Sequence, residues 1–250
     1  MIDIKTPQDL ASMRVASRAV AQTLVQLKNL VKPGVSTAEL DRFAERQLRE
    51  LGAVPAFLGY RGYPATLCVS INDEIVHGIP SEKRIVREGD IVSLDLGAVC
   101  DGFYGDAALT VGAGKISGDA RRLMEVTELS LSRALAEVKA GARLGDIGSA
   151  VERCALENGM SVVREFTGHG IGRRLHEEPS IPNFGKPGTG PVLKAGMTLA
   201  IEPMLCFGRP EIVIKNDGWT AVSADGSMAA HYEHTVAVTE KGFEILSAAV

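Results

Sequence analysis

Cysteine is scarce and never paired: the four are Cys68, Cys100, Cys154 and Cys206, and no two stand in a C-x-x-C arrangement. That excludes zinc-finger and thioredoxin-type motifs. Four scattered thiols in 250 residues make no disulfide framework either, so each is expected to be a small buried apolar side chain. Long hydrophobic runs are also missing. No stretch reaches the roughly 20 apolar residues of a membrane span. The N-terminal MIDIKTPQDLASMRVASRAV has neither the apolar centre nor the cleavage pattern of a secretory signal. Charge of one sign is absent too: 27 basic and 31 acidic residues leave a net charge of −4, with no basic run and no acidic tail. The expectation is a soluble, cytoplasmic protein, without membrane attachment and without a stable nucleic-acid partner. No G-x-S-x-G is present, and Cys68 has no evident base partner, which disfavours a serine or cysteine hydrolase.

What is present is a repeat. Thr6-Pro7-Gln8-Asp9 reads as a helix start, with Thr6 as cap, Pro7 at the first helical position and Asp9 facing the positive end of the dipole. Apolar residues recur at helical spacing from Leu10 to Leu27, Ser17 being the weak member, until Pro33-Gly34 ends the run. Ser36 or Thr37 caps a second helix that runs to Leu51 and stops at Gly52. Another helical pair is predicted over about 118–139 and 144–158. VKPGVSTAELDRFAERQLRELGA (31–53) aligns without gaps on VKAGARLGDIGSAVERCALENGM (138–160), with seven of 23 positions identical at a constant offset of 107. The same offset lays VREGDIVSLDLG (86–97) over LKAGMTLAIEPM (193–204), placing Gly89 on Gly196 and Asp95 on Glu202. The reading is one catalytic domain over 1–250, made of two related α/β halves, roughly 1–112 and 113–250. The fold class is α+β with a mostly antiparallel sheet, and any site using Asp95 and Glu202 lies between the halves.

Those two acids sit in apolar strands, SLDLG and AIEPM, where an ionised carboxylate is costly unless it is paired or bound to metal. Asp101-Gly102 signals a turn, so 91–97 and about 105–111 form a hairpin. A register centred between Cys100 and Asp101 puts Asp95 opposite Asp106 on one face. Glu202 and Glu233, in AAHYEHTVAV, make a matching pair in the second half, with an added hairpin, EIVIK-NDG-WTAVS, between them. His169 is bracketed by glycines in FTGHGIGRRLHEEP, after an expected strand VVREF; His176 follows it, and His77 stands in VHGIP after another strand. Asp, Asp, His, Glu and Glu form a hard, oxygen-rich set, suited to two divalent ions of the Mn, Fe(II) or Co kind rather than to a closed structural zinc site.

These motifs together resemble the type I methionine aminopeptidases of bacteria, in the short form without an N-terminal extension. The likeness runs from TPQDL to EKGFEIL and rests on FLGYRGYPATLCVSINDEIVHGIP, SLDLG with DGFYGDAA behind it, GHGIGRRLHEEP, AIEPM and WTAVSADGSMAAHYEHTVAVT. The resemblance implies the pita-bread fold, with two pseudo-twofold halves and helices outside a curved sheet. It implies Asp95, Asp106, His169, Glu202 and Glu233 as ligands of two divalent ions (Co, Mn, Fe(II), Ni or Zn). It further implies that His77 and His176 contact substrate, and that Phe57, Tyr60, Tyr63, Cys68, Leu175 and Trp219 line a methionine pocket. Leu175 stands where Phe is common in the family and Phe57 where Cys is common, which bears on pocket shape and not on the reaction. The implied activity is removal of the initiator methionine from nascent chains with a small second residue, by a monomeric enzyme in transient contact with the ribosome. In the expected mechanism a metal-bridging water or hydroxide attacks the scissile carbonyl, Glu202 acts as base, His176 steadies the oxyanion, and His77 binds substrate or relays a proton. An X-Pro peptidase of the same fold is the alternative.

Overall fold

The computed structural model describes residues 2–248. The chain opens with α1 (Pro7–Leu30) and α2 (Thr37–Glu50), then β1 (Val54–Pro55), a 3₁₀ turn at Tyr60–Gly62, β2 (Leu67–Ile71), β3 (Glu74–Val76), β4 (Ile91–Cys100) and β5 (Phe103–Gly112). The second helical pair is α3 (Gly118–Ala136) and α4 (Leu144–Glu157). It leads to β6 (Ser161–Val162), β7 (Thr167–Gly170), β8 (Glu177–Pro182), β9 (Thr198–Ile201), β10 (Met204–Cys206), β11 (Ile212–Ile214), β12 (Ala221–Ser223), β13 (Ala229–His231), β14 (Glu233–Val238) and β15 (Phe243–Ile245). The caps explain the first two helix starts. The Thr6 hydroxyl accepts from the Asp9 amide (3.2 Å) while the Asp9 carboxylate accepts from the Thr6 amide (2.9 Å), and Ser36 and Glu39 repeat the exchange at 3.2 and 2.8 Å.

The offset of 107 recurs in the backbone. Gly34 N–H donates to Val86 C=O (2.8 Å) and Gly141 N–H to Leu193 C=O (2.9 Å); Val86 N–H returns a bond to Val35 and Leu193 N–H to Ala142. The isolated bridge Ser36 to Ile85 has its counterpart in Arg143 to Val192. Gly89 and Gly196 both need the left-handed region, with φ of 89° and 88°.

Among the described residues nine strands form one antiparallel sheet, in the order β1-β4-β5-β14-β9-β7-β8, with β2 added to β4 and β15 to β14. One face is apolar and carries the helices. Leu94, Leu96 and Ala98 pack with Val20, Leu24, Leu40 and Leu48, and Leu199, Ile201, Val236 and Val238 pack with Leu123, Leu131, Ile147 and Val151. Ser17, the weak point of the α1 stripe, is fully buried because Gly105 lets that helix approach: a Cβ there would stand 2.6 Å from the Ser17 Cα. All four cysteines are buried and unpaired.

Two local expectations need correction. Cys100 pairs with Phe103 across a two-residue Asp101-Gly102 turn, both residues at positive φ (50° and 75°), so Asp106 faces Gly97 and Asp95 faces Ala108. The acids are diagonal neighbours on one face, not directly opposed. VVREF is not a strand beyond Val162; His169 lies on the strand itself, within β7. The added hairpin is present as β11 and β12, which pair antiparallel.

Candidate metal centre and active site

Alternation along the central strands puts five polar residues on the sheet face away from the helices. Asp95 comes from β4, Asp106 from β5, His169 from β7 and Glu233 from the start of β14; Glu202 follows directly on β9. Their cross-strand partners are all small. Gly97 is opposite Asp106, Ala108 is opposite both Asp95 and Glu233, and Ala200 is opposite His169. Small residues at these positions leave room on a face that would otherwise be filled. At Gly97 the space is occupied by an aromatic wall, since a Cβ would fall 2.6 Å from the Phe57 ring.

Ligand atoms of Asp106, His169 and Glu233 lie within 4.8 Å of one another. His169 Nε2 is 3.9 Å from Asp106 Oδ2 and 3.6 Å from Glu202 Oε1. On its other side Nδ1 is 2.9 Å from the Gly170 carbonyl, which assigns the ring proton to Nδ1 and turns the Nε2 lone pair toward the acids. Asp106 Oδ1 and Glu233 Oε1 are buried with no protein partner. Orphaned carboxylate oxygens beside a correctly oriented imidazole are the arrangement a hard divalent cation satisfies, and the residues fit one.

Electrostatics agree with the geometry. Burial pushes Asp95 up to about 7. Burial first, then the charges of Glu233 and Asp95, holds Asp106 well above the carboxylate range. Glu202 is raised by burial and by Asp95 and Asp106, and Glu233 by burial and by Glu202 and Asp95. Burial drives His169 down to about 3, helped by His176, so it is neutral and able to ligate.

The metal-free protein consequently keeps protons on acids that its unfolded chain has lost. Asp95 contributes stability that is full below its ordinary 3.8 and lost as pH rises through about 7, and the other three raised acids extend the loss upward. The depressed histidines act oppositely, but their contribution is complete above the ordinary 6.5. The chelated protein should therefore lose about 1.4 kcal/mol per pH unit for each retained proton above neutrality. Calorimetry from pH 6.5 to 8 checks this: Tm should fall without metal and hold with it. A flat metal-free Tm contradicts the account.

Beside the acids is a cavity of about 140 Å³. Phe57, Tyr60, Tyr63, Cys68, Leu175 and Trp219 border it, as do His77 and His176, so every residue expected at the site is brought to one place. The Tyr63 and Trp219 rings meet edge to face at 5.1 Å, and the Tyr63 hydroxyl reaches the Leu67 and Gly78 carbonyls. Burial pushes the Cys68 thiol up, so it is a neutral wall and not a nucleophile. His176 stacks on Tyr60 at 5.3 Å and its Nδ1 is 2.9 Å from the Tyr60 hydroxyl. His77 adopts a positive φ of 61°, wedged against Phe166 and Trp219. A larger groove of about 630 Å³ lies between α1 and α3 on the helix side; Glu233 borders both spaces, and among the described residues the His234 and acids that line the groove form no group close enough to share an ion.

Three features escaped the sequence reading. Arg61 borders the cavity, 5.4 Å over the Tyr60 ring, and with burial it lowers His176. His231 is buried beside Glu202, its Nε2 3.8 Å from Oε2. Lys5 is buried from the N-terminal side and pairs with Glu177 at 2.8 Å, the residue after His176. A Cβ at residue 172 would sit 2.2 Å from the Lys5 Cε, so a side chain there would displace the end of Lys5. Lys5→Met should destabilise the fold by about 3 kcal/mol by stranding the Glu177 carboxylate, and adding Glu177→Met should recover part of the loss. Denaturation of the wild type, the two single variants and the double variant checks this; strictly additive effects contradict it.

Comparison with known proteins agrees with this architecture. Metallopeptidase family M24 matches residues 11–240. Methionine aminopeptidase 1 of Bacillus subtilis is 50% identical over 247 residues, covering 99% of each chain. The crystal structure of methionine aminopeptidase from Thermotoga maritima superposes with a TM-score of 0.98 at 46% identity, again covering 99% of each. The prolidase from Pyrococcus furiosus, 23% identical and covered over 66% of its length with a TM-score of 0.81, shares the fold. The sheet, the cleft and these likenesses lead to one conclusion: the chain belongs to the methionine aminopeptidases of metallopeptidase family M24, enzymes of the pita-bread fold that depend on divalent metal.

Proposed function

We propose that this protein removes the N-terminal methionine from newly made polypeptides whose second residue is small, acting in the cytoplasm as a single catalytic domain of two related halves. The observation that carries the reading is the junction of the acid and histidine cluster with a small aromatic and thiol-lined cavity. That cavity is well below the about 300–1,000 Å³ of sites for drug-sized ligands, so it admits one side chain. A thioether makes favourable contacts with aromatic edges and polarisable sulfur, which suits methionine. Among the described residues no helix is long and apolar enough to cross a membrane.

Asp95, Asp106, His169, Glu202 and Glu233 would hold two divalent ions. Four carboxylates carry four negative charges, which two such ions balance. Bound there, the ions supply Lewis acidity and a water acidic enough to react near neutral pH. The remaining work falls to the chain. Glu202 takes the proton of the attacking water and passes it to the leaving amine. His176, with the Tyr60 hydroxyl 2.9 Å from its Nδ1 and donating to it in this reading, presents Nε2–H to the developing oxyanion. His77 hydrogen-bonds the substrate backbone. The ring walls exclude water from the bound side chain.

Turnover of Met-Ala-Ser against Ala-Pro by the metal-loaded protein tests the reading. Release of methionine with little cleavage of Ala-Pro is expected. Preferential cleavage of Ala-Pro would establish the proline-directed alternative, which otherwise draws on likeness of fold alone.

A further inference from the structure

We propose that His231 is a positioning residue for Glu202, holding the outer oxygen Oε2 through its Nε2–H so that Oε1 stays turned toward His169. The inference rests on the aminopeptidase reading for its kinetic consequences, but its geometry stands apart from that reading. Glu202 sits between two imidazoles, one per carboxylate oxygen: Oε1 is 3.6 Å from His169 Nε2 and Oε2 is 3.8 Å from His231 Nε2. His231 is 1% exposed, and neither ring nitrogen has a hydrogen-bond partner. A buried ring donor left unmet costs about 1–3 kcal/mol, and the Glu202 carboxylate oxygen Oε2 stands 3.8 Å from Nε2.

The backbones at both ends are fixed. His231 pairs with Met204 in the β10–β13 ladder, two residues beyond Glu202. Its amide donates to Thr110 Oγ1 at 3.0 Å, and that hydroxyl donates back to the His231 carbonyl at 2.8 Å. The Glu202 carbonyl accepts from Asn183 Nδ2 at 3.1 Å. The gap to His231 is about 0.8–1 Å longer than a hydrogen bond, and in the proposed arrangement the Glu202 carboxylate turns to close it. A general base whose outer oxygen is held keeps one oxygen aimed at the water, and outer partners of this kind commonly matter by about 10–100-fold.

The test uses the zinc-loaded protein and two variants, His231→Leu and His231→Gln. Long-range ¹⁵N–¹H NMR of the wild type should show the His231 proton on Nε2. His231→Leu should lower kcat about 10–100-fold, with KM changed less than about twofold. His231→Gln, whose amide N–H reaches the same oxygen, should restore most of the loss. Metal affinity by calorimetry should fall less than kcat. A proton on Nδ1 with a metal-shifted Nε2 would make His231 a ligand and overturn the proposal. So would a Gln variant no better than Leu, or a loss carried wholly by metal affinity. If the wild type releases no methionine, the aminopeptidase reading fails, while the tautomer still decides the His231–Glu202 contact. Should the Leu variant not fold, the Gln variant and the tautomer decide the matter.

Discussion

Asp106→Asn abolishes turnover while making the metal-free protein more stable. Asp106 is buried among three other acids and raised by burial, Glu233 and Asp95, so the metal-free state holds it protonated at a cost in stability, because the unfolded chain ionises it at neutral pH. A neutral amide carries no such cost and should raise the metal-free Tm by about 5 °C, at about 2–4 °C per kcal/mol for a chain of this size. The same change removes a hard anionic ligand from the cluster with His169 and Glu233. Loss of metal chemistry then costs about 4 kcal/mol or more of transition-state stabilisation, at least about a thousandfold in rate. Stability and activity moving in opposite directions mark a site strained for function. A variant that merely unfolds would show both falling together. Scanning calorimetry with and without chelator, beside a Met-Ala-Ser assay, separates the two outcomes. Asp95→Ala and His169→Ala should likewise abolish metal-dependent cleavage.

His176→Ala lowers kcat by about 100–1,000-fold with little change in metal affinity. Burial and the Arg61 charge keep this ring neutral at pH 7, and the proposed role has the Tyr60 hydroxyl, 2.9 Å from Nδ1, donate to it and leave the ring proton on Nε2. Its ring centroid is 4.2 Å from that of His169, which brings the donor to the edge of the ligand cluster. Tyr60→Phe should cost far less, about threefold to tenfold, because it releases the tautomer without removing the donor. Metal titration and steady-state kinetics on both variants decide this. A His176→Ala defect confined to metal affinity would contradict the role as oxyanion donor.

Much of this was legible in the chain because local chemistry and global fold agree. Thr6 was legible as a cap and Ser36 or Thr37 as the second, and in the structure Thr6 and Ser36 form capping boxes with the acids three residues on. The offset of 107 was visible as glycines and charges because Gly34 and Gly141, and Gly89 and Gly196, meet the same backbone demands twice. Asp95 and Glu202 stood out because acids in apolar strands need a reason. The hairpin register was misread by two residues in the pairing sum: Asp101 and Gly102 form the whole turn, so the strands close one residue later than a turn centred on Cys100–Asp101 allows. VVREF has a strand composition, yet tertiary contacts leave most of it irregular, which propensity alone does not foresee. Lys5, Arg61 and His231 were missed for a different reason. Each acts through a contact far away in sequence, which its local motif does not reveal. His231 stands two residues before Glu233 in the motif AAHYEH, where its partner Glu202 lies 29 residues upstream.

The central claim is that five side chains from four strands and one strand end converge on a pair of cations. Isothermal titration of chelator-stripped protein with Mn(II) or Co(II) at pH 7.5 tests it most directly. Two ions per chain are predicted, with the tighter site abolished in His169→Ala and net proton release on loading, because the raised carboxyls must ionise. Saturation without proton release, or unaltered binding in His169→Ala, would contradict it.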